Sequence, residues 1–453
     1  MRPTDAFLDT IAAPATPAGR SALAIVRLSG PESAQILARL APALPAPPPE
    51  RRPQRAALVD PGGSPIDDAV VTFFPASSSP TGEDVVELSL HGSPLAVARL
   101  LEAARESGAR PARPGEFTER AFRAGKIDLV RAEAVRDLIE ARTGAAAKAS
   151  ARRLTGELSG RLEAIRQKLL DVSARLGAAI DFSDDVGDRV DPSAVRFLRE
   201  AMAELERLAA TAKAGRLLSS GCRVAILGLP NAGKSTLYNA LVGEERAIVT
   251  EIPGTTRDAL EAEIDLGGIP VTLVDTAGLR ATEERVEAIG VARARAEASR
   301  SDAVLYVFDA AEGFRAEDAE ALALAADRPV LVVANKADRM ADGAGRLPEG
   351  ALLVCGLSPG AGPLLARRLS ETISGGVDTE ATAEVLGNLR QADLVLRART
   401  ASAEALAALD AGTPLEYAVT HCHEALDALA DLVGETTSED VLERLFSTFC
   451  VGK

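Results

Sequence analysis

Gly228, Gly233, Lys234 and Ser235 stand in the spacing G-x-x-x-x-G-K-S within "RVAILGLPNAGKSTLYNAL". The motif follows a run of strand length and opens a helical one, the context in which this spacing has physical meaning. Glycines there let backbone N–H groups wrap a chain of phosphates. The lysine ammonium reaches the outer phosphates, and the serine hydroxyl ligates Mg2+. Asn231, Ala232, Gly233, Lys234, Ser235 and Thr236 are therefore candidate phosphate-binding residues. Three further stretches follow in the order that phosphoryl transfer from GTP needs. "GTTRD" offers Thr256 as a switch hydroxyl and second Mg2+ ligand. "VDTAG" ends a strand-like run at Asp275, a carboxylate for the metal's water shell, and Thr276, Ala277 and Gly278 turn the backbone toward the γ-phosphate. "ANKAD" supplies Asn335, Lys336, Ala337 and Asp338. The Asp338 carboxylate can accept from both guanine N1–H and N2–H2, a donor pair that adenine lacks, so the set selects GTP over ATP.

Leu279 follows "DTAG" where many small GTPases carry a glutamine that orients the attacking water, and no arginine finger is evident. Glu283, Glu284 and Glu287 lie just downstream; each is a candidate for orienting water or a member of a solvated loop.

The elements that must position these residues fall into three textures. Residues 1–126 mix strand-like runs such as "SALAIVRL" and "DVVELSL" with the loops "APALPAPPPERRP" and "ASSSPTG". Residues 127–219 are rich in Ala, Leu, Arg and Glu at helical spacing. Residues 220–375 alternate strands ("RVAILG", "VTLVD", "AVLYVFD", "PVLVVAN") with helices, the signature of a mostly parallel sheet. Residues 376–453 are helical again. The economical organisation is a helical domain interrupted by an α/β domain and preceded by an N-terminal α/β domain. Composition bounds the rest: 453 residues, 47% hydrophobic and 26% charged, suit a soluble chain of several domains. The start shows no secretory signal, and no apolar run approaches the ~20 residues that span a bilayer. Cys222, Cys355, Cys422 and Cys450 form no CxxC pair, which fits reduced thiols in a cytoplasm. A net charge of −15 excludes a generally basic coat for nucleic acid, though not a local basic patch.

The string "GLPNAGKST … VTEIPGTTRD … DTAGLR … NKAD" resembles the MnmE (TrmE) family of tRNA-modification GTPases. "ATPAGRSALAIVRLSG", "TGEDVVELSLHG", "RPGEFTERAFRAGKIDL" and the ending "FCVGK" resemble it more specifically, so the likeness runs from end to end. It implies a cytoplasmic homodimer joined through N-terminal domains that resemble tetrahydrofolate-binding folds, and a Ras-like P-loop GTPase domain inserted in a discontinuous helical one. It also implies a heterotetramer with the FAD-binding protein MnmG (GidA). That complex would install a carboxymethylaminomethyl-type group on C5 of the wobble uridine of certain tRNAs. The carbon would come from 5,10-methylene- or 5-formyl-tetrahydrofolate, and GTP hydrolysis would require K+. By matching motif, Asn231, Thr250, Ile252 and Thr255 would hold K+, in a nucleotide-binding loop that also contains Glu251, Pro253 and Gly254. A cation there supplies the charge that the missing arginine would have brought. Glu287 matches the water-orienting glutamate, and Arg27, Glu83, Lys126 and Lys453 match folate contacts. Read from spacing alone, those four are ordinary surface charges. Gly356, Leu357 and Ser358 stand where the family has a base-stacking S-A-[KR] loop, a departure in its details.

"THCHEA" places His421, Cys422 and His423 in a row. Neighbours on a helix point about 100° apart and cannot converge on one metal, so a buried thiol between two partly exposed histidines is expected. "FCVGK" is no prenylation box, because Gly452 sits where an aliphatic residue belongs. The resemblance puts this ending at the folate site, with Cys450 as a candidate nucleophile or acid–base catalyst, or else a structural thiol. Two rivals remain at this level: a ribosome-assembly switch that binds rRNA, and a dimerisation scaffold gated by GTP. The first predicts a basic RNA-binding appendage that this acidic chain lacks, and it gives no reason for the folate-matching strings. Folate binding by the N-terminal region would separate a modification enzyme from both.

Overall fold

A computed structural model of the chain describes residues 9–181, 191–244, 260–275, 296–325, 328–340, 347–376 and 386–453. The chain divides into two compact units. The first holds residues up to Arg136, Ser159–Ser173 and Val419–Lys453; the second holds Asp137–Leu158 and Ala174–Ala418.

The first unit is built on a six-stranded sheet. Its strands are β1 (Ile11–Pro14), β2 (Leu23–Ser29), β3 (Gln54–Val59), β4 (Pro65–Phe74), β5 (Val85–His91) and β6 (Arg110–Pro111), in the order β3-β4-β5-β2-β1-β6. All pairings are antiparallel except β1 with β6. Side chains alternate across a strand, so Val26 and Leu28 on β2 and Val86 and Leu88 on β5 face one way. There they form a core with Ile36, Leu37 and Leu40 of α1 (Ser33–Leu40) and Leu100, Ala103 and Ala104 of α2 (Pro94–Glu106). Arg27 alternates with Val26 and Leu28, and it stands opposite Glu87 in the β2–β5 register. After β6 comes α3 (Glu116–Arg123). A second cluster, Phe122, Leu129, Ala132, Leu442, Phe446 and Phe449, joins the end of α3 to the C-terminal helix Glu439–Phe446. The rings of Phe122 and Phe446 lie 6.2 Å apart, and those of Phe446 and Phe449 5.5 Å.

The second unit carries a six-stranded sheet in the order β12-β11-β10-β7-β9-β8. Its strands are β7 (Cys222–Leu227), β8 (Leu260–Leu266), β9 (Ile269–Asp275), β10 (Ala303–Asp309), β11 (Val330–Asn335) and β12 (Leu352–Leu353). The four strands expected from the sequence are β7, β9, β10 and β11, and they pair in parallel. β8 adds an antiparallel edge on β9. Val224, Ile226, Leu305 and Val307 enter one buried cluster while Ala225, Leu227, Val304, Tyr306 and Phe308 enter another. Both faces are thus covered, which is why these strands read as unbroken apolar runs. Outside the sheet, the helices Pro192–Ala210 and Leu389–Asp410 pack on each other. Ala194, Leu198, Ala201 and Leu205 lie three or four apart on the buried face of the first.

In "THCHEA" Cys422 is fully buried, and burial pushes its thiol up to about 11. His421 Nδ1 pairs with Glu424 (2.9 Å) and His423 Nε2 with Ser173 Oγ (2.9 Å), so the two rings engage separate partners. Among the described residues no helix is long and apolar enough to cross a membrane.

Candidate functional site

β7 lies in the middle of its sheet, with β9 on one side and β10 on the other. The chain order reverses there, and in open α/β sheets the crevice beyond that point is where ligands bind. The loop from β7 into the helix Lys234–Glu244 fills it. Gly228 has φ 146°, and a Cβ on it would overlap the Val307 carbonyl oxygen of β10. Gly233 has φ 93°, and its Cβ would overlap Asn335 Nδ2. Both glycines are therefore demanded by backbone shape and by close approach. Asn231 is left-handed as well, with φ 63°, one of the few residue types that tolerate it.

Lys234 is buried, and its ammonium donates to the carbonyls of Gly228 (2.9 Å) and Leu229 (2.8 Å). Burial lowers its pKa, against the pull of Asp275, whose negative charge favours the ammonium. Ser235 Oγ, at the first turn of the helix, donates to Asp275 Oδ2 (2.9 Å) at the end of β9. Asp275 has no exposed surface. A buried carboxylate beside a hydroxyl is an all-oxygen donor set of the kind Mg2+ takes, and the first amides of the helix face the same crevice. These residues fit Mg2+. Asn231 is exposed and offers an amide oxygen suited to K+. Thr250, Glu251, Ile252, Pro253, Gly254, Thr255, Thr256, Thr276, Ala277, Gly278 and Glu287 lie outside the described residues.

The base-reading side is tied to the phosphate side by one buried side chain. Asn335 Nδ2 donates to the Ala232 carbonyl (3.0 Å), and its Oδ1 accepts from the Gly356 N–H (3.0 Å). The Ala337 N–H donates to the Val354 carbonyl (3.1 Å), fixing the turn that presents the exposed Asp338. Lys336 has φ 61°, and its ammonium pairs with Asp309 Oδ2 at 2.7 Å. Asp309 ends a strand in the sequence as plainly as Asp275 does, but its partner in register, Asn335, is visible only once the sheet is paired. In the atypical loop Leu357 is 81% exposed, and the Ser358 N–H donates to the Cys355 carbonyl (2.9 Å).

In the first unit, the four residues matched to folate contacts gather around α3. Arg27 donates through Nε (3.0 Å) and Nη2 (2.7 Å) to Glu87 Oε1, and its guanidinium lies 5.7 Å from the centre of the Phe117 ring. Glu83 accepts from Ser29 Oγ (2.8 Å) and from Arg120 Nη1 (3.0 and 3.1 Å). Arg120 also reaches Asp9 and the fully buried Glu116. Lys126 Nζ donates to the Ser77 carbonyl (3.3 Å), and a Cβ on Gly82, the neighbour of Glu83, would sit 3.4 Å from Lys126 Cε. The Phe117 N–H donates to the Lys453 main-chain oxygen (3.1 Å), and the Gly115 N–H to the Cys450 carbonyl (3.3 Å). Helix N-termini leave their first amides without intrahelical partners, and the "FCVGK" tail supplies two of them here. Cys450 itself is exposed. Arg27 and Glu83 are thus members of tight ion pairs, a feature that spacing gave no hint of. Glu87, Phe117 and Arg120 complete the cluster, and sequence reasoning missed them because their partners are distant in the chain.

A doubly covered sheet with a phosphate loop at its switch point and an Asn-Lys-x-Asp turn at the end of the neighbouring strand is a P-loop GTPase domain. Two family models match the chain: the MnmE helical domain over residues 129–450, and the GTP-binding protein TrmE N-terminus over residues 10–126. Proteins called tRNA modification GTPase MnmE from Moorella thermoacetica, Chloroflexus aurantiacus and Thermus thermophilus are 39%, 41% and 43% identical to it. Each alignment covers 98% of this chain and 99–100% of the relative. The chain belongs to the MnmE family.

Proposed function

We propose that this chain is a K+-dependent GTP hydrolase that acts in the cytoplasm as a homodimer. With a FAD-binding MnmG-type partner, it installs a carboxymethylaminomethyl-type group at C5 of the tRNA wobble uridine. The carbon comes from a tetrahydrofolate derivative. The observation that carries the hydrolase reading is the join at Asn335, which bonds both the phosphate loop and the loop after β12. Phosphates and base of one nucleotide are thereby addressed by a single rigid frame. The tRNA reading rests on the likeness of the whole chain to relatives that carry that name.

In hydrolysis a water oxygen bonds to the γ-phosphorus as the bond to the β–γ bridging oxygen breaks, and negative charge gathers on the leaving diphosphate. Lys234, held at the mouth of its loop, offsets that charge. Ser235 and Thr256 would hold Mg2+ and Asp275 its water shell, and the ion would screen the phosphate oxygens. Asn231 and the 250–255 loop would hold K+, and Glu287 orients the water. In the first unit, Glu83 suits the N–H donors of the pterin ring of a tetrahydrofolate, and Arg27, Lys126 and Lys453 suit the carboxylates of its glutamate tail.

The test of base reading is Asp338→Asn. An amide presents a donor where guanine needs an acceptor, so turnover of GTP should fall at least tenfold while XTP, with an oxygen at C2, becomes a substrate. Unaltered preference for GTP would refute the role of Asp338.

A further inference from the structure

Asp309 contributes nothing to the phosphate loop, yet it is tied into the site from both ends. Its backbone pairs with Asn335 in the β10–β11 register, and the Ala310 N–H donates to the Asn335 carbonyl (2.8 Å). Its side chain is only 14% exposed. Oδ1 accepts from the Ala311 N–H (2.9 Å), and Oδ2 takes the Lys336 ammonium at 2.7 Å. Burial works against ionisation of this carboxyl, but the bonds from Lys336 and Ala311 outweigh it and hold its pKa below the ordinary value. The charged pair is therefore the resting state at neutral pH.

Lys336 runs from this anchor past the phosphate loop. A Cβ on Gly233 would lie 3.9 Å from Lys336 Cε. The lysine's backbone is left-handed and flanked by Asn335 and Asp338, the two ends of the base-reading turn. A nucleoside whose phosphates lie on Gly233 and whose base meets Asp338 must pass along the four-carbon stem between them. A free lysine side chain samples many rotamers and would give no fixed surface there. We propose that Asp309 is a positioning residue for the guanosine moiety: it pins the Lys336 ammonium so that the lysine stem stands as a preformed wall of the nucleoside pocket. This rests on the guanine-nucleotide reading of the site. Preorganisation of this kind raises affinity by removing an ordering cost, without any new contact to the ligand.

The experiment is a double-mutant cycle on the full chain, read by titration of fluorescent GDP. Wild-type binding tests the nucleotide reading by itself; its absence would overturn that reading before Asp309 is in question. Asp309→Asn keeps the acceptor for Ala311 and removes the charge on Lys336. It should weaken GDP about tenfold and raise the KM for GTP similarly, with kcat changed less than twofold. In a Lys336→Met background, which keeps an apolar stem but has no ammonium, Asp309→Asn should have no further effect. Asp309→Glu should recover part of the loss. Equal losses in both backgrounds, or no loss in either, would overturn the proposal. If Asp309→Asn melts at the assay temperature, Lys336→Met alone carries the test: with its ammonium unpinned it should weaken GDP about tenfold, and unchanged affinity would overturn the proposal.

Discussion

Gly452→Ala should unseat the "FCVGK" tail while leaving the phosphate loop untouched. Gly452 has φ 92°, a conformation that costs an L-residue roughly 1 kcal/mol. The added Cβ would also overlap the Pro14 carbonyl oxygen. That oxygen cannot readily retreat, because Pro14 is paired with Val26 in the β1–β2 ladder. The tail must move instead, and it then gives up its bonds to the Gly115 and Phe117 amides, at about 1 kcal/mol each. The sum is roughly 3 kcal/mol against the docked tail, or about a hundredfold in its docking equilibrium. Hydrogen exchange reads this directly: the Gly115 and Phe117 amides stand at the start of α3, where no intrahelical carbonyl protects them. Their protection should drop ~10–100-fold in the variant. Folate affinity should fall with it, and the rate of GTP hydrolysis should stay within twofold. Unchanged exchange at Gly115 and Phe117 would refute the capping role assigned to the tail, and unchanged folate affinity would separate the tail from the folate pocket.

Asn231→Ala should abolish the rise in turnover when K+ replaces Na+ and leave nucleotide affinity largely intact; equal wild-type rates in the two salts would remove the basis for a K+ site. Glu287→Ala should slow hydrolysis by ~10²-fold without weakening GTP binding, as loss of a group acting in the transition state requires, and single-turnover kinetics measures both. Glu116 predicts acid lability of the first unit. Burial opposes its ionisation, but Arg110, the Arg113 amide and Arg120 hold its carboxyl down at about 2, against 4.5 for the free side chain. A depressed carboxyl stabilises the fold above pH 4.5 and loses that contribution as pH falls toward 2. The contribution is roughly 3 kcal/mol, so melting followed between pH 6 and 3 should show a steep fall that Glu116→Gln flattens.

Much of the nucleotide site was legible because its residues are consecutive in short motifs. The phosphate loop and the "NKAD" turn each act within a few residues, and the spacing itself encodes the geometry. The parallel strands were legible too, since burial on both faces leaves unbroken apolar runs at β10 and β11. β8 lies outside the four strands read from the sequence, although "LEAEIDL" alternates apolar with charged residues as an edge strand does. The ion pairs Arg27–Glu87 and Glu83–Arg120 join residues 60 and 37 apart. Only the sheet register and the placement of α3 bring them together, so charge at these positions reads as ordinary surface. The same holds for Lys336–Asp309, which a parallel crossover separates by 27 residues. The folate-matching strings were informative through resemblance alone, since no spacing rule connects them.

Nucleoside analysis of bulk tRNA bears on all these parts at once, because modification requires the nucleotide site, the folate site and the partner together. In cells deleted for this chain, digestion and mass spectrometry should show the carboxymethylaminomethyl-type wobble uridine lost. Expression of the intact chain should restore it, and the Lys234→Ala variant should not. A normal level of that nucleoside in the deleted cells would contradict the function proposed for this chain.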